Sequence, residues 1–238
     1  MAIRIPIISE FNPKGVAAAK AEFASLEGAG SKSMFLLQKA ILPAAAAIGT
    51  FTSVIAPAIR AASDFEESTS KVNVIFGRAS KSVKDFAKDA AVSLGQSQQD
   101  VLSAAGTFGT FGKAAGLAGE DLALFTTDFV ALSTDLASFN NTTPEEAVLA
   151  IGAALRGEAE PLRRYGVLLD DATLKAEAMR LGIYKGSGTL TAQQKILAAQ
   201  SAIYKQTSDA QGDFARTADG AANSQRTLSA LMKNFQIQ

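Results

Sequence analysis

The chain has 238 residues, 47% of them hydrophobic, enough to bury one sizeable core or two small ones. Lysine plus arginine and aspartate plus glutamate each count 23, so there is no cationic surplus to hold a phosphate backbone, and specific nucleic-acid binding is not expected. With no cysteine and no histidine, the sequence excludes disulfides, Cys or His zinc sites, a Ser-His-Asp triad and a thiol nucleophile; neither enzymatic activity nor a cofactor is expected.

The first residues lack the apolar core and cleavage site of a secretory signal, and the missing cysteines suit either a reducing cytoplasm or a virion. Ile3, Ile5 and Ile7 alternate with period two, predicting a short strand that Pro6 restricts to an edge or an extended arm over residues 1–13. From Asn12-Pro13 the period changes. Val16, Ala19, Phe23 and Leu26 recur at three and four, which predicts an amphipathic helix ending near Gly28 and Gly30. Residues 40–59 carry no charge between Lys39 and Arg60 and have about the length needed to cross a bilayer. Pro43, Gly49, Pro57 and a run of alanines argue against a span, so a buried or self-associating helix is the expected state. Insertion of 40–59 into a membrane is the competing function.

Ser63-Asp-Phe-Glu66 has the form of a capping box, in which the Ser hydroxyl and the Glu carboxylate satisfy free amides, so a helix is predicted from there to Gly77. A second is predicted from about Ser80 to Leu94-Gly95, with Val83, Phe86 and Ala90 on one face. The glycine-rich stretch 106–119 fits a loop, a broken helix or a flat surface for close helix contact. The clearest pattern follows: Leu122, Phe125, Phe129, Leu132, Leu136 and Phe139 step alternately by three and four, while Asp121, Asp128 and Asp135 lie off the seam. Thr143-Pro-Glu-Glu146 supplies an N-cap, a proline at the first helical position and a Glu at the third, starting a helix that runs to about Leu155. A helical turn over 159–165, a helix near 171–181, a loop at Gly186-Ser-Gly188 and a capping box at Thr191-Ala-Gln-Gln194 complete the middle. The last predicted helix carries Phe214, Ala218, Ala221, Gln225, Leu228, Met232 and Phe235 on one seam. Both stripes are expected to pack into a core or against sister copies. No stop signal follows Phe235, so the chain reads as cut from a longer protein.

Three short motifs suggest chemistry and fail on inspection. Gly28-Ala-Gly-Ser-Lys32-Ser33 lacks the four-residue spacer of a phosphate-binding loop and follows a predicted helix instead of a strand. Gly106-Thr-Phe-Gly109 has the outline of a nucleic-acid clamp with few cations near it. Glu158 and Glu160 have the residue types of a glycosidase pair, but residues two apart point to different sides of a helix, and Arg156, Arg163 and Arg164 offer simpler ionic partners.

The run Asp135-Leu-Ala-Ser-Phe-Asn-Asn141, followed by Ala154-Leu155-Arg156-Gly157-Glu158 and Glu160-Pro161-Leu162-Arg163-Arg164-Tyr165-Gly166-Val167, resembles a region of tape measure proteins from long-tailed phages that infect actinobacteria. The opening Ile5-Pro-Ile-Ile-Ser-Glu-Phe-Asn-Pro-Lys-Gly15 and the stretch from Gly212-Asp-Phe-Ala-Arg-Thr217 to Asn223 are similar to the amino-terminal part of the same family. The resemblance implies a structural virion protein threaded in several copies, as a trimer or hexamer, through the lumen of the tail tube, where it sets tail length and leaves ahead of the DNA. It implies as partners sister copies, tail tube and tail tip proteins, tail assembly chaperones in the host cytoplasm, and the host membrane at ejection. It carries over no catalytic residue. A fully helical chain of this length would reach roughly 350 Å, short for a tape. The expected fold is therefore all-α: an extended β-arm over 1–13, a helical segment over 14–62 with its uncharged stretch 40–59, and a glycine-broken multi-helix bundle over 63–238.

Overall fold

The computed structural model describes residues 56–237, and these are all-helical. The chain divides into two compact units, Met1–Ser63 and Asp64–Gln238. The expected arm over 1–13, the helix near 16–26 and all but the end of the uncharged stretch 40–59 lie outside the described residues.

Helix α1 runs over Ala56–Phe76. Ser63 and Glu66 are therefore interior to a helix and not its start, a correction with a simple cause. Once a helix already propagates from Ala56, the amides that a capping box would satisfy bond to carbonyls four residues earlier. Pro57 is tolerated because it sits in the first turn, where its missing N–H leaves no bond unmade. Gly77, at φ +54°, ends α1, and a 3₁₀ turn over Gly77–Ala79 leads into α2, Ser80–Ser93. Helix α2 buries Val83, Ala87, Ala90 and Ala91, with Phe86 packed partly buried against the same core.

Helix α3, Gln98–Ala114, is capped by Ser97, whose hydroxyl accepts from the Asp100 amide at 3.1 Å. It passes straight through Gly106, Gly109 and Gly112, so the first two-thirds of the glycine-rich stretch form a flat helical surface and only the remainder turns. A Cβ on Gly109 would lie 2.5 Å from the Phe76 ring and 2.8 Å from Ile75, and one on Gly112 would collide with Leu122. Glycine costs a helix interior about 0.5–1 kcal/mol relative to alanine, but here it lets α1 and the following helix lie against bare backbone.

Helix α4, Gly119–Phe139, is the central element, in contact with α2, α3 and, further along the chain, the helices Pro144–Arg156 and Asp213–Arg216. Leu122, Phe125, Phe129, Leu132 and Leu136 are buried as the seam predicts. Phe129 is fully enclosed by the rings of Phe108 (centroids 5.3 Å apart), Phe125 (5.0 Å, edge to face) and Tyr204 (5.6 Å). Phe139 departs from the seam at 54% exposed, because it is the last residue of α4 and the chain turns away through Asn140 and the left-handed Asn141.

Thr143 caps α5, Pro144–Arg156, with Pro144 at its first turn, and the left-handed Gly157 ends it. A 3₁₀ segment over Glu160–Tyr165 drives Leu162 and Tyr165 into the core. Helices α6, Asp171–Arg180, and α7, Ala192–Gln206, pack together around a small second cluster of Ala178, Leu190 and Ala198. Both halves of the capping box at Thr191 and Gln194 are formed. The predicted single last helix is two: α8, Asp213–Arg216, and α9, Ala221–Gln236. A turn over 217–220 separates them, held by Asn223 Nδ2, which donates back to Thr217 Oγ1 at 2.8 Å. Phe214 and the seam of Leu228, Met232 and Phe235 thus belong to different elements.

Candidate functional site

The C-terminal end of α4 gathers segments far apart in sequence. Asp135 receives the backbone amides of Gly212 (2.7 Å, to Oδ2) and Phe214 (3.1 Å, to Oδ1), fixing the start of α8. One turn on, the Ser138 hydroxyl donates to Asp213 Oδ2 at 2.6 Å and accepts from Asn223 Nδ2 at 2.9 Å. Thr142 is the shared node: its carbonyl accepts from Arg226 Nη2 at 2.8 Å, and its hydroxyl lies 3.2 Å from the Tyr165 hydroxyl. Arg226 also donates to Asn223 Oδ1. The Phe214 ring fills the space over Gly95, where a Cβ would approach it to 2.8 Å. The stretches 135–141, 160–167 and 212–223 therefore meet in one constellation around Asp135, Ser138 and Thr142. Burial pushes the Asp135 carboxyl up, more than the two amide donors lower it. The two amide donors offset part of that burial cost and fix the start of α8 against the end of α4.

The corner between α5 and α6 accounts for the remaining motif residues. Leu155 and Leu162 are buried, Gly157 and Gly166 take left-handed conformations, and Pro161 occupies the first turn of the 3₁₀ segment. Arg156 lies 5.9 Å over the Phe111 ring and 3.7 Å from Glu158, Arg163 pairs with Glu160 at 3.1 Å, and Arg164 pairs with Glu146 at 2.9 Å. All these ions are exposed, so each pair adds little. Glu158 and Glu160 thus face separate arginines and do not face each other across a cleft.

Helix α9 presents the second feature. Its docked face consists of Asn223, Arg226, Ala230 and Asn234, with Asn234 Oδ1 accepting from the Gln98 amide at 2.7 Å and Lys233 paired with Asp100 at 2.9 Å. Its solvent face carries Leu228 (60% exposed), Leu231 (47%), Met232 (61%) and Phe235 (81%). Of the two expected fates of this seam, a core or a face for sister copies, the described residues do not show the first: the polar face docks and the apolar face points outward. A groove of about 660 Å³ between α2 and α9, lined by Lys88, Asp89 and Asn234 as well as Val92, Leu231 and Phe235, adjoins the same surface. Sequence reasoning missed Thr142, Asn223 and Arg226. The available signal was that Arg226 and Lys233 are the only charges in α9, so a helix with so few ions and a clean apolar stripe had to spend them somewhere.

Elsewhere, Glu177 is buried and held to about 2 by the Arg180 guanidinium (Nη2–Oε1 2.6 Å) and the Ser201 hydroxyl, well below the usual 4.5. The Tyr204 hydroxyl is buried with no hydrogen-bond partner among the described residues, and burial pushes it up. Helix α4 is long and apolar enough to cross a membrane by length and composition, and most of its most apolar stretch is buried in the bundle. No group of three or more acidic side chains that could hold a metal ion occurs among the described residues. No family model matches the chain, and no curated protein or solved structure is significantly similar to it.

Proposed function

We infer that this chain is a non-enzymatic structural component of a phage tail, a tape measure segment acting in tail assembly and length determination inside the tail tube. One observation supports the inference: of the tape-measure-like stretches, 135–141 and 212–223 join through Asp135 and Ser138, and 160–167 reaches the adjoining Thr142 through Tyr165, so these three share one folded unit. The partners that follow are sister copies, tail tube and tip proteins, assembly chaperones in the host cytoplasm, and the host membrane when the tape leaves ahead of the DNA. The described bundle is compact where a tape in its tube is extended. Residues 64–238 therefore act as a folded station on the tape, and do not themselves set length at 1.5 Å per residue.

Genetics on the genome that encodes the chain tests this directly. Purified particles contain its peptides by mass spectrometry, and removing residues 64–238 yields tails that are missing or far fewer under the electron microscope. Tails of normal length and number without the chain would refute it.

A further inference from the structure

We propose that the cleft between the first turns of α3 and α5 is a docking site for an arginine side chain presented by another protein. The site stands whether or not the chain belongs to a phage tail.

The cleft forms where two helices start side by side. Asp100 lies in the first turn of α3 and Glu145 in the first turn of α5. With Ala104, Val148 and Leu149 they wall a cavity of about 230 Å³. Together with Gln96 they also line an adjoining cavity of about 360 Å³ that reaches α9. Carboxylates are ordinary in a helix's first turn, so these two alone mark no site. Gln96 does. It sits in the turn between α2 and α3, is 4% exposed, and bonds through only one end of its carboxamide: Nε2 donates to the Thr134 hydroxyl, whose own proton goes to the Val130 carbonyl at 3.4 Å. The Gln96 oxygen accepts no hydrogen bond among the described residues, and the side chain lines both cavities. A nearly enclosed carbonyl oxygen without a donor is unfavourable, so an N–H that arrives through the cleft is stabilised there.

The charges select a cation. Among the described residues, the only ionic side chains on the smaller cavity are Asp100 and Glu145. Glu145 pairs with no cation among these residues, and Asp100 receives Lys233 on Oδ2 at 2.9 Å while its Oδ1 has no such partner. Lys233 and Arg226 line only the larger cavity, and Arg226 is turned onto the carbonyls of Ala137 and Thr142 and onto Asn223. The open groups of the smaller cavity are therefore acceptors, two carboxylates and an amide oxygen, and an anion would be repelled. Their placement on three separate segments favours guanidinium over ammonium. A planar fork of five donors reaches several acceptors at once, where a compact, strongly hydrated ammonium reaches fewer. The aliphatic stem of the arginine lies along Ala104 and Val148, and Leu149, 72% exposed at the rim, meets an apolar neighbour of that arginine in the partner.

The full chain, isotope-labelled and titrated by NMR with acetyl-Leu-Arg-Leu-amide up to millimolar concentration, tests this. Saturable shifts are expected at the Gln96 side-chain amide and at the backbone amides around Asp100 and Glu145, weakening as salt is added. The same peptide with norleucine in place of arginine binds at least about tenfold more weakly. Glu145→Gln, a neutral change at an exposed position, lowers affinity at least about fivefold with an unchanged melting curve, and Glu158→Gln, beyond the other end of α5, leaves it as it was. The proposal is overturned by shifts that do not saturate or that map elsewhere, by equal binding of the norleucine peptide, or by indifference to Glu145→Gln. Inorganic phosphate or magnesium chloride moving the same resonances further than the arginine peptide overturns it too. None of these outcomes bears on whether purified particles contain the chain, so this proposal and the tail reading fail separately.

Discussion

Helices α4 and α9 carry the same kind of apolar stripe and dispose of it in opposite ways. In α4 the stripe from Leu122 to Leu136 turns inward and the aspartates stay at the edges; in α9 the stripe from Leu228 to Phe235 turns outward and the polar side chains go in. The difference lies in what each helix meets. Helix α4 meets apolar rings and aliphatic chains on several sides. Helix α9 meets the end of α4 and the start of α3, where free carbonyls and amides at helix termini need partners, and Asn223, Arg226 and Asn234 supply them. Periodicity identifies a stripe. What covers it depends on the groups waiting at the docking point.

The sharpest break of this comparison is a matched pair of truncations. Phe129→Ala empties a site enclosed by three rings and should lower stability by about 3–5 kcal/mol in a denaturant titration. Phe235→Ala, at an 81% exposed side chain, should change the stability of the isolated chain by less than about 0.5 kcal/mol. Equal effects would mean that α9 buries its stripe within the chain after all. Next in size is the polar docking of α9: Arg226→Ala leaves the Thr142 carbonyl without its charged donor and should cost about 2 kcal/mol, with α9 amides losing hydrogen-exchange protection before those of α4.

The acid response of Glu177 comes third and probes a region that neither stripe touches. Its folded carboxyl, at about 2, is depressed below the usual 4.5, so its contribution is fully present above pH 4.5 and is lost as pH falls through 2. Because Arg180 is more than half exposed, solvent screening reduces that contribution to on the order of 1–2 kcal/mol, and Glu177→Gln should flatten melting temperature against pH across this window. The smallest expected effect is a gain. Tyr204→Phe removes a buried hydroxyl that has no partner among the described residues and should raise stability by up to about 1 kcal/mol while keeping the ring against Phe129.

Most helix starts were legible because their signals are local. Thr143 with Pro144, and Thr191 with Gln194, cap the helices they announce. Ser63 has the same local signal and fails, since a capping box works only where amides are free, and upstream residues of α1 had already used them. The conformation over 106–119 was open in the sequence because glycine permits both a turn and a helix; Phe76 and Leu122, pressed against its bare backbone, decide in favour of the helix. The constellation at Thr142 was legible only as separate stretches. Nothing in 135–141 announces that Gly212 or Arg226 will arrive there, because that depends on the summed turns of the three or four intervening helices.

Those separations give the end of α4 an unusual schedule during synthesis. Thr142 waits 84 residues for Arg226, and Asp135 waits 77 for Gly212. At translation rates of about 5–20 residues per second, the earlier partners stay unpaired for roughly 4–17 seconds. Over that interval α2 to α5 can already collapse through contacts between neighbours in sequence, and the nascent chain carries a preformed core with an open polar end. On this schedule α8 and α9 close over α4 after its core has formed and, in the same step, turn the apolar stripe of α9 outward.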